Sequence, residues 1–353
     1  MTKISKEVAS SEYYAIANDA LKDEDNGIWS AGLPQKIQAV WLERFYWIRW
    51  VDRLAEQDQL VQPGGQQFPA FYQAWQRLRD QRYLSPSDRV WRVLQQIEAC
   101  WFADDTENLY QVEIEAWDCY MQAILDYHQP TLTIATLETY EVMLDRLAGA
   151  CFQLLPFLED HQRAIARGFG VVDQFYNNLR DLYEDSRQGI CYFPTALLER
   201  FGVTRQEILT LTCFDNPGYT RLMEFWVETY LPRLRQRNLS LMQAKDLHPA
   251  WQCLTAWFVH RYIRIERIIR ACQYNFVDFA KQYWSEVEQD LQEQRERIQQ
   301  SFPLQPRPFE NGSEIARFLQ LNLPATPATE RCFQPTTRVM LDHSRERGQA
   351  HYY

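Results

Sequence analysis

The segment 177–185, NNLRDLYED, gathers three carboxylates, two amides and an arginine in nine residues that otherwise read as helix. On a helix, positions four apart stack on one face. Asn177, Asp181 and Asp185 therefore align, with Glu184 beside them and Asp173 and Gln174 one turn earlier. An oxygen-rich stripe of this kind suits a hard cation, because Mg2+ takes oxygen ligands and combines one or two carboxylates with waters and substrate phosphates. A site for a diphosphate needs such a stripe. The same spacing also reads as a solvated helix face on which Arg180 and Arg187 are local ion-pair partners.

The elements that must carry this stripe are helical. With 353 residues, 46% hydrophobic and 14% aromatic, the chain can bury a sizeable core, and only 12 glycines with long unpunctuated stretches predict an all-α protein. After the break Gly32-Leu33-Pro34, an aromatic-rich helix is predicted from Gln35 to Glu56, QKIQAVWLERFYWIRWVDRLAE. The loop QPGGQQFP at 62–69 separates it from helices over 70–125. A proline turn lies in 127–140, and Thr136 to Glu138 open a helix running toward Phe157. The stripe itself falls on a helix over 163–185 that ends before Gly189 and Pro194. From Trp251 to Tyr283 apolar residues recur every three to five positions, predicting one amphipathic helix over 250–284 with a polar, solvated extension over 286–300. Residues 1–300 read as a single domain without internal repeats, and 301–353 as a Pro-rich tail, loosely ordered or wrapped on the domain.

Several function classes are disfavoured by composition. A net charge of −10 and a pI near 5.2 argue against a nucleic-acid partner, which requires a clustered basic surface. Eight cysteines contain no CxxC pair and six histidines fall at no ligand spacing, which argues against zinc and disulfides. Thiols such as Cys151 and Cys253 sit among apolar neighbours, as in a reducing compartment. The start, MTKISKEVASSEYY, lacks an apolar signal region, and the longest apolar stretch, 147–158, is too short for a bilayer, so a cytoplasmic location is expected.

The segment 170–194, GVVDQFYNNLRDLYEDSRQGICYFP, resembles the second aspartate-rich motif of the squalene/phytoene synthase family, G-x-A-x-Q-L-x-N-I-L-R-D-x-x-E-D-x-R-x-G-R-x-Y-L-P. Gly170, Gln174, Asn177, Leu179, Arg180, Asp181, Glu184, Asp185, Arg187, Gly189, Tyr192 and Pro194 fall in register without a gap. The family's first acidic motif, R-x-x-D-[DE]-x-x-D, is matched by Arg49, Asp52 and Glu56 in RWVDRLAE, downstream of Leu33-Pro34. There Arg53 stands where the family has a second acid, Glu56 replaces Asp, and Glu43 and Arg44 interrupt a usually apolar face. Ser11, Tyr13 and Tyr14 are similar to the family's N-terminal Ser/Thr-Phe-Tyr segment. Asp126, Tyr140 and Gly149 are similar to its middle elements, and HRYIRIERIIRACQYNFVD to its late helix.

The resemblance implies an isoprenoid-synthase-type helical bundle around a deep central cavity, with two acidic helices facing one another across its mouth. It implies head-to-head joining of two prenyl diphosphates, farnesyl or geranylgeranyl, with release of diphosphate, in terpenoid or carotenoid biosynthesis. Catalytic roles are implied for Asp52, Asp181 and Asp185, and Mg2+ or Mn2+ ligation for Asp52, Glu56, Asp181, Glu184 and Asp185. Substrate contacts are implied for Arg49, Gln174, Asn177, Arg180, Arg187 and Tyr192. Tyr46, Trp47, Trp50, Phe175, Tyr176 and Tyr192 are read either as aromatic faces toward an allylic cation or as core packing. NADPH enters only for a reductive, squalene-type step. Peripheral membrane contact for an apolar product and a monomer or homodimer complete the expectation. The alternative is a non-catalytic paralogue that binds a prenyl chain or a partner protein, because the Arg53 cation beside Asp52 would compete with metal for that carboxylate.

Overall fold

The computed structural model describes residues 21–300 apart from 63, 104–108, 130, 239, 242–243 and 245. The expected N-terminal segment around Ser11, Tyr13 and Tyr14, the proline of the 127–140 turn and the tail 301–353 lie outside the described residues. All described regular structure is helical. A short helix α1 (21–27) leads through a 3-10 turn (Ile28–Gly32) into α2 (Gln35–Glu56), followed by α3 (Gln67–Gln81), α4 (Arg92–Trp101) and α5 (Gln111–Tyr127). Next come α6 (Leu137–Leu144) and α7 (Ala150–Gln153), joined by a π turn over Asp145–Gly149, then α8 (Asp160–Arg180) and α9 (Leu182–Arg187). The short helices α10 (Thr195–Phe201) and α11 (Arg205–Leu209) precede α12 (Pro217–Glu224), which a π turn over Phe225–Tyr230 joins to α13 (Leu231–Asn238). Two long helices, α14 (Pro249–Ala271) and α15 (Phe276–Gln300), close the bundle. Among the described residues no helix is long and apolar enough to cross a membrane.

Local chemistry sets the boundaries. Pro34 stops anything before α2 from continuing into it and leaves the first turn preset. Thr136 accepts from the Thr139 amide while Thr139 Oγ1 accepts from the Thr136 amide, a reciprocal cap that starts α6. The single amphipathic helix expected over 250–284 is corrected by the structure, because the chain turns at Gln273 and Tyr274, both at positive φ. Asn275 restarts it, its Oδ1 accepting from the amides of Val277 and Asp278 at 3.0 and 3.2 Å. The helix expected over 163–185 begins earlier, at Asp160, and bends at Asp181.

Packing concentrates aromatic mass around α2. Trp47, Trp75, Trp101 and Trp117 are fully buried, and their rings meet edge to face at centroid distances of 5.5–6.5 Å. The charge expected to interrupt the apolar face of α2 is absorbed here. Arg44 is buried with its guanidinium 4.0 Å from the Trp47 ring centroid, and its Nη2 donates to Cys100 Sγ at 3.1 Å. On the other side α8 packs against the α6–α7 unit, α13 and α14. It approaches the π turn closely at Gly170, where an added Cβ would lie 2.3 Å from the Ala148 carbonyl oxygen. No side chain larger than hydrogen fits there.

Candidate functional site

Helices α1, α2, α5, α7, α8, α9 and α14 line a cavity of about 460 Å3. Helix periodicity places both acidic sets on it. On α2, Arg49, Asp52, Arg53 and Glu56 share the face opposite buried Trp47, Val51 and Leu54. On α8, Gln174, Asn177, Arg180 and Asp181 share the face opposite buried Phe175, Tyr176 and Leu179. The bend at Asp181 does not break the stripe. The Asp181 amide donates to the Asn177 carbonyl and the Asp185 amide to the Asp181 carbonyl, at 2.9 and 2.8 Å, so Asp185 follows Asp181 on the cavity wall. Phe45, Leu147, Phe152, Leu155 and Phe258 add an apolar part to the same lining.

The second acidic set is surrounded by cations. Arg180 grips Asp181 with Nε and Nη2 at 2.7 and 2.8 Å. Lys22 Nζ lies 3.3 Å from Asp181 and 3.0 Å from Glu184. Burial alone would raise the Asp181 pKa, but Arg180 and Lys22 outweigh it and hold the carboxyl well below the usual carboxylate range. Asp185 goes the other way: burial, then the neighbouring Asp181 charge, push its carboxyl well above that range. The two groups thus differ in how readily they keep a proton, and a divalent cation between them would favour ionisation of Asp185.

The first set is tied to α1. Arg49 donates from Nη1 to Asp52 at 2.7 Å and from Nε to Asp23 at 3.0 Å. Arg53 pairs with Asp23 through Nη2. The expected competition of Arg53 for Asp52 is therefore corrected: Arg53 turns to Asp23, and Asp52 is held by Arg49. His128 Nε2 stands 3.6 Å from Asp52, with burial lowering the imidazole pKa against the opposing pull of that carboxylate.

Asp52, Glu56, Asp181, Asp185, Arg49, Gln174, Asn177, Arg180 and Tyr192 all line the one cavity. Two expected site residues do not. Glu184 faces Lys22 and Trp284, whose Nε1 donates to it at 3.1 Å, and Arg187 lies against the Tyr183 ring. Of the aromatics, Tyr46 and Tyr192 line the cavity. Trp47 belongs to the tryptophan cluster, Trp50 packs on Phe71 and Trp91, Phe175 on Trp226, and Tyr176 stacks on Tyr262 at 4.0 Å. The sequence reading missed Lys22, Asp23 and His128, whose partners are remote in the chain. It also missed the support of Asp173, which accepts from Arg261 at 2.6 Å, Tyr262 at 2.8 Å and Asn177 at 3.0 Å.

Among the described residues no three His, Cys, Asp or Glu side chains converge as a ready-made metal cage. The oxygen donors that the two sets bring to the cavity are carboxylates and amides, a set that fits a hard cation completing its shell with water and phosphate oxygens.

The sequence profile described as squalene/phytoene synthase matches residues 29–298. A stretch of 94 residues is 33% identical to 15-cis-phytoene synthase of Enterobacter agglomerans, covering 27% of this chain and 31% of that relative's length. In fold, the chain is similar to a dehydrosqualene synthase solved with a ligand (TM-score 0.53, 15% identity, 80% of this chain and 98% of that one). It is also similar to squalene synthase HpnC from Alicyclobacillus acidocaldarius (TM-score 0.52, 19% identity, 70% and 89%).

Proposed function

Since the chain belongs to the squalene/phytoene synthase family, we propose that it is a Mg2+-dependent prenyltransferase that joins two prenyl diphosphates head to head and releases diphosphate. The observation that carries this reading is that two acidic sets, on α2 and on α8–α9, line one cavity together with apolar side chains. Asp52, Glu56, Asp181 and Asp185 would hold Mg2+, which when bound supplies neutralisation of the leaving diphosphate charge. Arg49, Arg53 and Arg180 bind diphosphate oxygens through their planar forks. Phe45, Leu147, Phe152 and Phe258 hold the prenyl tails and keep water from the allylic cation left after diphosphate departs. The faces of Tyr46 and Tyr192 stabilise that cation by about 0.5–2 kcal/mol each. NADPH is required only if the product is of the squalene type.

The test is incubation of purified protein with Mg2+ and farnesyl or geranylgeranyl diphosphate, scoring diphosphate release and apolar product. Release that disappears on Asp181→Asn supports the reading. Binding of either prenyl diphosphate with no release from the wild type would establish a non-catalytic relative.

A further inference from the structure

Helix α1 touches both acidic sets, and its attachments fall into two kinds. Its C-terminal half is anchored in the core. The Asp25 side chain, 1% exposed, accepts from Arg264 Nη2 at 3.2 and 3.3 Å, its carbonyl accepts from Trp257 Nε1, and Asn26 Oδ1 accepts from Arg261. Its N-terminal half reaches the cavity through ion pairs that are more open to solvent. Lys22 lies between Asp181 and Glu184, which are 17% and 21% exposed, while Asp23, 36% exposed, lies between Arg49 and Arg53.

The geometry points to Lys22 and Asp23 as internal stand-ins for the ligands of this site, the ammonium occupying the place of a metal cation at the second acidic set and the carboxylate that of a diphosphate oxygen at Arg49 and Arg53. An ammonium at 3.0 and 3.3 Å from two carboxylates satisfies the charge that a hard cation would otherwise satisfy. A carboxylate shared by two guanidiniums has the geometry in which they grip phosphate. Arg49 and Arg53 are one turn apart on α2, so both can turn to one anion. Ligands must therefore displace Lys22 and Asp23, while the buried Asp25 and Asn26 contacts keep α1 docked.

The inference rests on the proposed metal and diphosphate chemistry, and its test separates the two. In the full-length chain, Mn2+ binding is measured by electron paramagnetic resonance and inorganic pyrophosphate binding by calorimetry. Lys22→Met, which keeps the stem beside Trp284, should bind Mn2+ about tenfold more tightly than wild type, whereas Lys22→Arg should match it. Asp23→Asn should tighten pyrophosphate binding by about the same factor. Mn2+ affinity unchanged or weaker in Lys22→Met would overturn the inference and leave the functional reading standing. Absence of Mn2+ and pyrophosphate binding in wild type and variants alike would overturn both. A measurement on the wild type guards against a misfolded variant: acylation of Lys22, followed by mass spectrometry, should accelerate severalfold at saturating Mn2+, and an unchanged rate refutes displacement.

Discussion

The approach of α8 to the α6–α7 unit at Gly170 makes Gly170→Ala an informative perturbation, because two known effects oppose each other there. In an exposed helix interior the change would stabilise by about 1 kcal/mol through helix propensity. Here the new Cβ would stand 2.3 Å from the Ala148 oxygen, 2.7 Å from its carbonyl carbon and 2.9 Å from Phe152 Cδ2. The Phe152 ring can rotate away, but the Ala148 carbonyl is backbone of the π turn, so the helices must separate by about 1 Å at this point. Overpacking of this kind costs about 1–3 kcal/mol, and a backbone obstacle places it at the upper end, leaving a net loss of about 2 kcal/mol. Urea denaturation should show a lower midpoint at unchanged slope. Gly27→Ala, whose Cβ would meet nothing within 4 Å, is the control and should shift little. Because Gln174, Asn177 and Asp181 lie along α8 beyond Gly170, the same displacement should weaken Mg2+-dependent pyrophosphate binding. A Gly170→Ala protein as stable as wild type or more so would refute the close approach on which this reasoning depends.

Asp181→Asn and Asp185→Asn should each weaken Mg2+-dependent pyrophosphate binding at least about tenfold in calorimetry; retention of binding by both folded variants would remove the second acidic set from the site. Arg261→Met should destabilise by about 3–5 kcal/mol in urea, because it strips the buried Asp173 of its cation, the pair being 1% and 7% exposed; a loss below about 1 kcal/mol would contradict that account. Asp290, paired with His260 at 2.9 Å and with Arg264, has its pKa lowered because these partners outweigh the opposing effect of burial. Its contribution is therefore present above the unfolded value of 3.8 and lost as the pH falls through the folded value. Asp290→Asn should cost about 1 kcal/mol near pH 6 and progressively less as the pH falls below 3.8, and a cost growing toward acid would reverse the sign.

How much of this was legible in the sequence depends on whether partners are close along the chain. Helix α2 could be read to its ends because Pro34 and an aromatic period define it. The carboxylates of both sets could be assigned to one face each because helix geometry is local. The α14–α15 break was hidden because Cys272 and Phe276 continue the apolar spacing through a turn whose two sides pack on the same core. Only Asn275, a good capping residue, hinted at it. Arg44 read as a charge on an apolar face, and nothing local showed that Trp47 and Cys100 would receive it. Lys22 with Glu184 and Asp23 with Arg53 are pairings across the fold, which periodicity does not encode.

Those remote pairings change what Arg53 means. Read along α2 alone, an arginine beside Asp52 subtracts from a metal site. In the fold it shares Asp23 with Arg49, so the two guanidiniums form one anion-gripping pair on successive turns. On the proposed function, Asp52, held by Arg49 at 2.7 Å, would serve partly to orient that pair, and cation binding would fall mainly to α8–α9, where Asp181 and Asp185 stand one turn apart. On the proposed function the two acidic sets are therefore unequal. The one on α2 leans toward the diphosphate oxygens and the one on α8–α9 toward the metal, and a carboxylate exchanged for arginine at position 53 moves charge from one task to the other without abolishing either.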